Sequence, residues 1–149
     1  MIIDKQWIVG FTDGEGCFHI GMSKNDKMKT GVQILPEFVI TQHEKSIHVL
    51  YALKTFFGCG VVRLNNQHKD GKIFCYRVRK FEHLKNIIVP FFLKNSLKTC
   101  KNVMFKKFRR VVQMMEKNLH LTTDGIKSIK TIHDSMNRIH CNSFKIEST

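Results

Sequence analysis

The stretch Ile8-Val9-Gly10-Phe11-Thr12-Asp13-Gly14-Glu15-Gly16 stands near the start of a chain of 149 residues. Three glycines and two acids fall within its last seven residues. Glycine has no Cβ, so it suits both tight turns and the close approach of two backbones. The acids Asp13 and Glu15 are either solvated loop residues or carboxylates that could hold a hard divalent cation. These residues alone leave both interpretations open.

Hydrophobic patterns on either side of this stretch predict the order of helices and strands. In chain order they are a helix over about 5–12 capped by Asp4, strands over about 17–23 and 29–41, a helix stopped by Gly58, strands over about 61–66 and 72–79, a short helix closed by Pro90, a helix over about 97–117, and a last helix capped by Thr122 or Thr123. The strands form two hairpins, which favours an antiparallel sheet with helices on one face. We therefore expect an α+β fold of order αββαββα, with one domain over 1–149 and a polar tail from about 140.

The charge of the chain points to a polyanionic partner. Lys and Arg number 25 against 12 Asp and Glu, a net charge of +13, and 42% of residues are hydrophobic. The hydrophobic content excludes a disordered chain, and the excess of positive charge favours nucleic acid over a merely solvated basic surface. The apolar runs fall short of a bilayer span, and five cysteines without a C-x-x-C pair match no zinc framework. We expect reduced thiols, an intracellular protein and no membrane partner.

Residue alternation in the second hairpin predicts a polar face on the sheet. Val62, Leu64, Phe74, Tyr76 and Val78 would face the core. The opposite face would carry Arg63, Asn65, Gln67, Cys75, Arg77 and Arg79. Arg, Asn and Gln can read guanine or adenine edges by paired hydrogen bonds, and a two-stranded ribbon fits the DNA major groove. The alternative is an ordinary solvated face of an antiparallel sheet.

The stretch 8–16 resembles the motif of the LAGLIDADG homing endonucleases. Its apolar start, first glycine and acid-small-acid-glycine ending match the family pattern, with Thr12 at a usually apolar position and Glu15 where Asp is commoner. The resemblance extends over about residues 5–139. It includes Ile40-Thr41-Gln42 at the end of the second strand, Leu97-Lys98-Thr99-Cys100-Lys101-Asn102 before the long helix, and a C-terminal helix pattern from His120 to Asn137.

The resemblance implies a role for each matching residue. Glu15 would bind metal together with the Gly14 backbone carbonyl, Gln42 would position water, and Lys98 would stabilise transition-state charge, with Lys101 as the alternative. The sheet would form a DNA-binding saddle whose contact residues are His19, Ser23, Gln33, Glu37, Arg63, Asn65, Gln67, Cys75, Arg77 and Arg79. One motif supplies one of two crossing helices, which implies a homodimer with Trp7, Gly10, Phe11, Asp13 and Gly14 at the interface.

The function implied is cleavage of both strands of a long, near-palindromic DNA site, which promotes intron homing. The cofactor would be Mg²⁺, with Mn²⁺ able to substitute and Ca²⁺ binding without cleavage, and no small-molecule cofactor is expected. An RNA maturase or a non-catalytic DNA-binding regulator on the same fold are the alternatives. Residue usage rich in Lys, Asn, Ile and Phe is typical of AT-rich genomes and favours a chloroplast or mitochondrial gene, while a bacterial source stays open.

Overall fold

Two β-hairpins, each preceded by a helix, form the frame of the computed structural model, which describes residues 1–136. The elements are α1 (Lys5–Glu15), β1 (Gly16–Lys24), β2 (Val32–His43), α2 (Ile47–Phe57), β3 (Val61–His68), β4 (Gly71–Val78), α3 (Phe81–His83), a π-helical turn (Leu84–Ile88), α4 (Val89–Lys94), α5 (Lys101–Glu116) and α6 (Thr123–Met136). Short 3₁₀ turns precede α2 and α6. The predicted order αββαββα is confirmed.

The four strands form one antiparallel sheet of order β1-β2-β4-β3. Each hairpin pairs within itself, and β2 and β4 join the two hairpins at the centre. The helices lie against one face, so the predicted α+β class is confirmed. The predicted polar tail over 140–149 lies outside the described residues, and the single domain over 1–149 stays a prediction.

A cluster of aromatic rings packs the sheet against α4 and α5. The ring of Phe18 in β1 lies 5.1 Å from Phe38 of β2, 5.5 Å from Phe92 of α4, and 5.3 and 5.4 Å from Phe105 and Phe108 of α5. All five rings are at most 2% exposed. Offset and edge-to-face contacts at these distances add to the free energy of burying the rings. The buried face of the sheet and its orientation toward α4 and α5 follow from this cluster.

The helix α1 is longer than predicted. It begins after Asp4, whose carboxylate accepts a hydrogen bond from Trp7 N at 2.8 Å, as the capping prediction requires. It ends at Glu15 rather than near Thr12, so Gly10 and Gly14 lie inside it. Each glycine costs a helix about 1 kcal/mol relative to alanine. Burial of the helix's apolar side against the core offsets that cost.

Other bounds differ for identifiable physical reasons. The strand β2 begins at Val32 because residues 25–31 close a compact loop through backbone hydrogen bonds between Asn25 and Gly31 and between Met28 and both of them. The prediction that Pro90 closes a helix was wrong. Pro90 lies in the first turn of α4, directly after the π-helical turn, where a missing N–H is tolerated.

Within residues 1–136, no helix combines the length and apolar character that a bilayer span needs.

Thr12 provides a test of packing under α1. Its side chain is 0% exposed, and among the described residues its Oγ1 has no hydrogen-bond partner. Replacing this hydroxyl with a methyl group should therefore help, and we expect Thr12→Val to raise the free energy of unfolding by about 1 kcal/mol in urea titrations. Thr12→Ser is the matched control: it keeps the hydroxyl, loses the methyl group, and should lower stability by about 1 kcal/mol. A less stable valine variant would contradict the assignment of an unsatisfied hydroxyl.

Candidate active site and nucleic-acid interface

The C-terminal end of α1 presents an acid directly beside the sheet. Glu15 is the last residue of α1 and Gly16 the first of β1, with no linker between them. A Cβ at Gly16 would lie 2.5 Å from Thr12 Cγ2 and 2.8 Å from Thr12 O, so only glycine fits this junction. Gly14 and Glu15 are exposed. The last carbonyls of a helix have no intrahelical donor and carry partial negative charge, and no basic residue lies in this last turn to offset it. The end of α1 is therefore suited to a cation.

Asp13 fixes the loop that precedes α5. Its carboxylate accepts hydrogen bonds from the backbone N–H of Lys98 at 2.9 Å and of Thr99 at 3.0 Å, and from Thr99 Oγ1 at 2.8 Å. Partial burial acts to raise the pKa of Asp13, but these hydrogen bonds outweigh it, and the pKa is lower than usual. The same bonds explain why α5 begins at Lys101 rather than Leu97. The carboxylate of Asp13 is thus engaged within its own chain. Its predicted place at a dimer interface stays a prediction.

Two lysines lie here in different surroundings: Lys98 is in the loop that precedes α5, and Lys101 is the first residue of α5. Lys98 is exposed, and its backbone is the part that Asp13 holds. The charge of Lys101 favours ionisation of both Asp13 and the Cys17 thiol, although burial is the larger effect at Cys17 and raises its pKa. Asp13 and Cys17 each lie two residues from Glu15. Both lysines therefore belong to the surroundings of the end of α1.

Gln42 lies near the same end of the sheet. Gly16 pairs with Ile40, so β2 continues past the start of β1 through Thr41, Gln42 and His43. Gln42 pairs with Phe74, which places it on the helix side of the sheet while its two neighbours face the open side. It is partly exposed there. The register thus brings Gln42 to the level of the α1 terminus.

The open face of the sheet carries most of the predicted contact residues. Cross-strand partners share a face, so the register groups Cys17, His19, Ser23, Gln33, Glu37, Val39, Thr41, Arg63, Cys75 and Arg77 on this side. Cys75 is 3% exposed. Burial raises the pKa of its thiol, against the opposing charges of Arg77 and Arg63, so Cys75 is a packed neutral thiol between two guanidinium groups.

Glu37 and Arg79 form an ion pair that the sequence alone did not reveal. Arg79 Nη2 lies 3.1 Å and Nε 3.2 Å from Glu37 Oε2. Glu37 is 17% exposed and Arg79 50% exposed. The pair joins β2 to the end of β4, so the guanidinium of Arg79 is held in one direction. The pair follows from the antiparallel register of β2 and β4, which the sequence alone does not give.

A register shift in β3 corrects the predicted face of Gln67. Leu64 pairs with Phe74, but Asn66 pairs with Ile73, so Asn65 is an extra residue in β3. After this bulge the faces exchange: Asn66 joins Arg63 on the open side, and Gln67 pairs with Lys72 on the opposite side. The predicted orientation of Gln67 was therefore wrong. Leu64 was expected in the core and is 44% exposed, because β3 is an edge strand whose residues 63–68 are all exposed.

The outer side of α1 forms an open stripe. Trp7, Gly10, Phe11 and Gly14 lie at helical spacing, and the rings of Trp7 and Phe11 stack at 4.6 Å. Gly10 and Gly14 are exposed, and a Cβ at either would meet nothing within 4 Å. Another backbone could approach this stripe closely. These four residues were predicted at a dimer interface, which stays a prediction.

The fold thus places an acid at the end of α1 beside an open sheet face that carries Arg63 and Arg77. A family model described as LAGLIDADG endonuclease matches residues 8–112. The chain therefore belongs to the LAGLIDADG endonuclease family.

Solved structures agree with this membership. The crystal structure of a homing endonuclease, I-TnaI, is 52% identical with a TM-score of 0.87, over 95% of this chain and 92% of that one. I-SmaMI, bound to an uncleaved DNA target in the presence of calcium ions, is 36% identical with a TM-score of 0.87, over 91% of this chain and 45% of that one.

A relative from Neurospora crassa is described as a probable intron-encoded endonuclease 2. It is 32% identical over 136 residues, which cover 91% of this chain. The matched region is only 29% of that relative's length, so the chain spans less than a third of it.

The Asp13 hydrogen bonds predict a pH-dependent stability. In Asp13→Asn, an amide NH₂ would face backbone N–H groups, and we expect the free energy of unfolding to fall by about 1–2 kcal/mol at pH 7. The pKa of Asp13 is lowered by folding, so the carboxylate's contribution is present above the unfolded pKa and is lost as pH falls through the folded value. The difference in stability between wild type and Asp13→Asn should therefore narrow progressively as the pH falls below about 4.

Thr99→Val is the matched control, because it removes only the hydroxyl hydrogen bond to Asp13. Its loss of stability should be smaller than that of Asp13→Asn. Equal unfolding free energies for wild type and Asp13→Asn at pH 7 would contradict a fixing role for this carboxylate.

Proposed function

We propose that this chain is a site-specific endonuclease that hydrolyses both strands of a long, near-palindromic DNA site and thereby promotes intron homing. The observation that carries the proposal is the exposed carboxylate of Glu15 at the negative end of α1, beside the open face of a basic sheet. The similarity to I-TnaI and to DNA-bound I-SmaMI supports it.

The donor set at the end of α1 fits half of a divalent-metal site. Glu15 offers a carboxylate and Gly14 a backbone carbonyl, which are the oxygen ligands that Mg²⁺ prefers. Residues 1–136 contain no group of three His, Cys, Asp or Glu side chains that could hold a metal ion. Mg²⁺ is commonly held by one or two carboxylates together with substrate phosphates and water, so a second copy and the DNA phosphates would supply the other ligands. We propose Mg²⁺ as cofactor, with Mn²⁺ able to substitute and Ca²⁺ binding without cleavage.

Side chains of this protein would supply the other parts of the reaction. Divalent ions would supply an activated water and stabilise the leaving oxygen. Gln42 would orient that water from the end of β2. Lys98 or Lys101 would stabilise the negative charge that develops on the phosphate, and the effect of Lys101 on both Asp13 and Cys17 supports its proximity to Glu15.

The open sheet face is proposed to contact DNA. Arg63 and Arg77 flank Cys75, and they would read base edges because their position on the strands points them away from the core. Arg79, already paired with Glu37, presents a fixed guanidinium, which loses less entropy on binding a base or phosphate. The other proposed contacts are His19, Ser23, Gln33, Asn65 and the newly placed Asn66; Gln67 would reach DNA only from the hairpin's other side.

The open stripe of α1 is proposed as the homodimer interface. Gly10 and Gly14 lie four residues apart on its exposed side, which permits two helix backbones to approach closely. Such an approach would bring two Glu15 carboxylates together. The relative described as intron-encoded supports an origin in an intron, and we propose a chloroplast or mitochondrial one.

Glu15 is the residue that tests the proposed chemistry. An amide is a poor ligand for a hard cation, so Glu15→Gln should lower cleavage of a target plasmid in Mg²⁺ by more than about a hundredfold, since even residues that only support a metal ligand are worth 10–100-fold. DNA affinity should persist. Asp124→Asn, an exposed acid of α6, is the matched control and should cut normally. A Glu15→Gln protein that cuts at near wild-type rate would refute the assignment. DNA or intron-RNA binding by a wild-type protein that never cuts would favour a regulator or a maturase.

Gly10 tests the interface. Leucine there would hold two helices apart without harming the helix itself, so Gly10→Leu should weaken dimerisation at least about tenfold in sedimentation equilibrium. Lys106→Leu adds the same side chain at an exposed site of α5 and should leave the dimer intact. An unchanged dimer in Gly10→Leu would move the interface elsewhere.

A further inference from the structure

The turn of the second hairpin is tied to the residues that follow Gln42. His43 Nε2 lies 3.0 Å from the carbonyl oxygen of Asp70, and His43 Nδ1 accepts a hydrogen bond from Lys45 N at 3.2 Å. A carbonyl can only accept and an amide N–H can only donate. The neutral ring with its proton on Nε2 therefore satisfies both partners at once.

Glu44 holds the other side of the same turn. Its Oε1 accepts a hydrogen bond from Lys72 N at 3.2 Å. Gly71 lies between the two bonds with a φ of +132°, and a Cβ there would collide with His43 Nε2 and come within 2.8 Å of Glu44 Oε1. The turn is thus closed on both sides, and it accepts only glycine at its centre.

The register places this turn at the catalytic end of the sheet. Gly16, directly after Glu15, pairs with Ile40, and β2 then continues to His43, which pairs with Ile73 beside the turn. The turn also carries exposed polar and basic residues, among them His68, Lys69 and Lys72. It therefore lies at the same end of the sheet as Glu15, beyond the start of β1, whereas the loop over 25–31 lies at the opposite end.

We propose that His43 and Glu44 form a clamp that fixes the turn over 68–72 relative to Glu15, and that the clamped turn determines preference for the base pairs next to the cleaved bonds. This inference rests on the proposed function. His43 is a positioning residue in it, because it acts through the backbone of Asp70 and Lys45. The bulge at Asn65 increases the need for such a clamp, since it interrupts the ladder that would otherwise hold the hairpin.

The energetics favour a local effect. Both clamp bonds are exposed to solvent, so their loss should loosen the turn without unfolding the sheet. A loosened turn can contact several base pairs equally well, which lowers discrimination more than affinity. Discrimination at the far base pairs, contacted from the other hairpin, should not change.

The first arm of the test is hydrogen exchange, which needs no DNA. In His43→Leu and in Glu44→Ala, the Lys45 and Lys72 amides, respectively, should exchange at least about tenfold faster than in wild type. Glu44→Gln keeps the accepting oxygen and should restore protection of Lys72. Unchanged exchange in both variants would overturn the clamp whether or not the protein cuts DNA.

The second arm measures base preference by cleavage of a double-stranded DNA library randomised across the target. His43→Leu should lower discrimination at the central base pairs at least about fivefold, with less than a twofold change at the outer ones. Asn25→Leu is the matched variant in the other hairpin, where Asn25 Nδ2 donates to Gln33 Oε1 at 3.1 Å; its effect should fall on the outer base pairs.

The two arms separate the possible failures. Faster exchange with unchanged central preference would overturn the role in specificity while leaving the clamp in place. A wild-type protein that cuts no member of the library would overturn the proposed function, and the specificity claim with it, while the exchange data would still decide on the clamp.

Discussion

The direct passage from α1 into β1 is the constraint on which the rest of the structure depends. With no linker between Glu15 and Gly16, the end of the helix is fixed at the rim of the sheet. The close contact of Gly16 with Thr12 means that the backbone cannot relax to admit a side chain. The backbone of Glu15 is therefore fixed relative to the sheet, so the carboxylate can reach only the space at this rim.

Asp13 extends the same rigidity to the basic loop. Its carboxylate is the protein partner of the N–H groups of Lys98 and Thr99 just before α5. A single side chain thus positions a negative site, Glu15, and a positive segment from Lys98 to Lys101 with respect to each other. Preorganisation of this kind lowers the reorganisation that charge development on a phosphate would otherwise require.

Patterns of local chemistry were readable from the sequence, whereas features that depend on register were not. The cap at Asp4, the left-handed Gly58 that ends α2 and the hairpin turn before Gly71 all follow from one residue type at one position. The bulge at Asn65 is different, because nothing in the residues of β3 alone marks it. The bulge is visible only in the pairing of β3 with β4. It exchanges the two faces of the sheet for the residues of β3 that follow Asn65.

The same distinction applies at the site. The acids and glycines of 8–16 and the basic segment of 97–102 could be recognised because each lies in a contiguous stretch of sequence. Three long-range interactions could not: the hold of Asp13 on Thr99, the pair between Glu37 and Arg79, and the contact of His43 with Asp70. Each joins residues at least 27 positions apart, so each depends on the tertiary fold rather than on any local pattern.

Symmetry has a further consequence for the DNA. If two copies meet through α1, the two-fold axis passes near both Glu15 residues, and each sheet extends away from it. The β3–β4 turns would then lie near the axis and the loops over 25–31 at the outer ends. Two identical faces present identical side chains to the two halves of a duplex. A symmetric dimer therefore recognises a palindromic sequence of two half-sites. Because two carboxylates of like charge would approach each other at the axis, divalent cations between them would offset a repulsion that the protein alone leaves uncompensated.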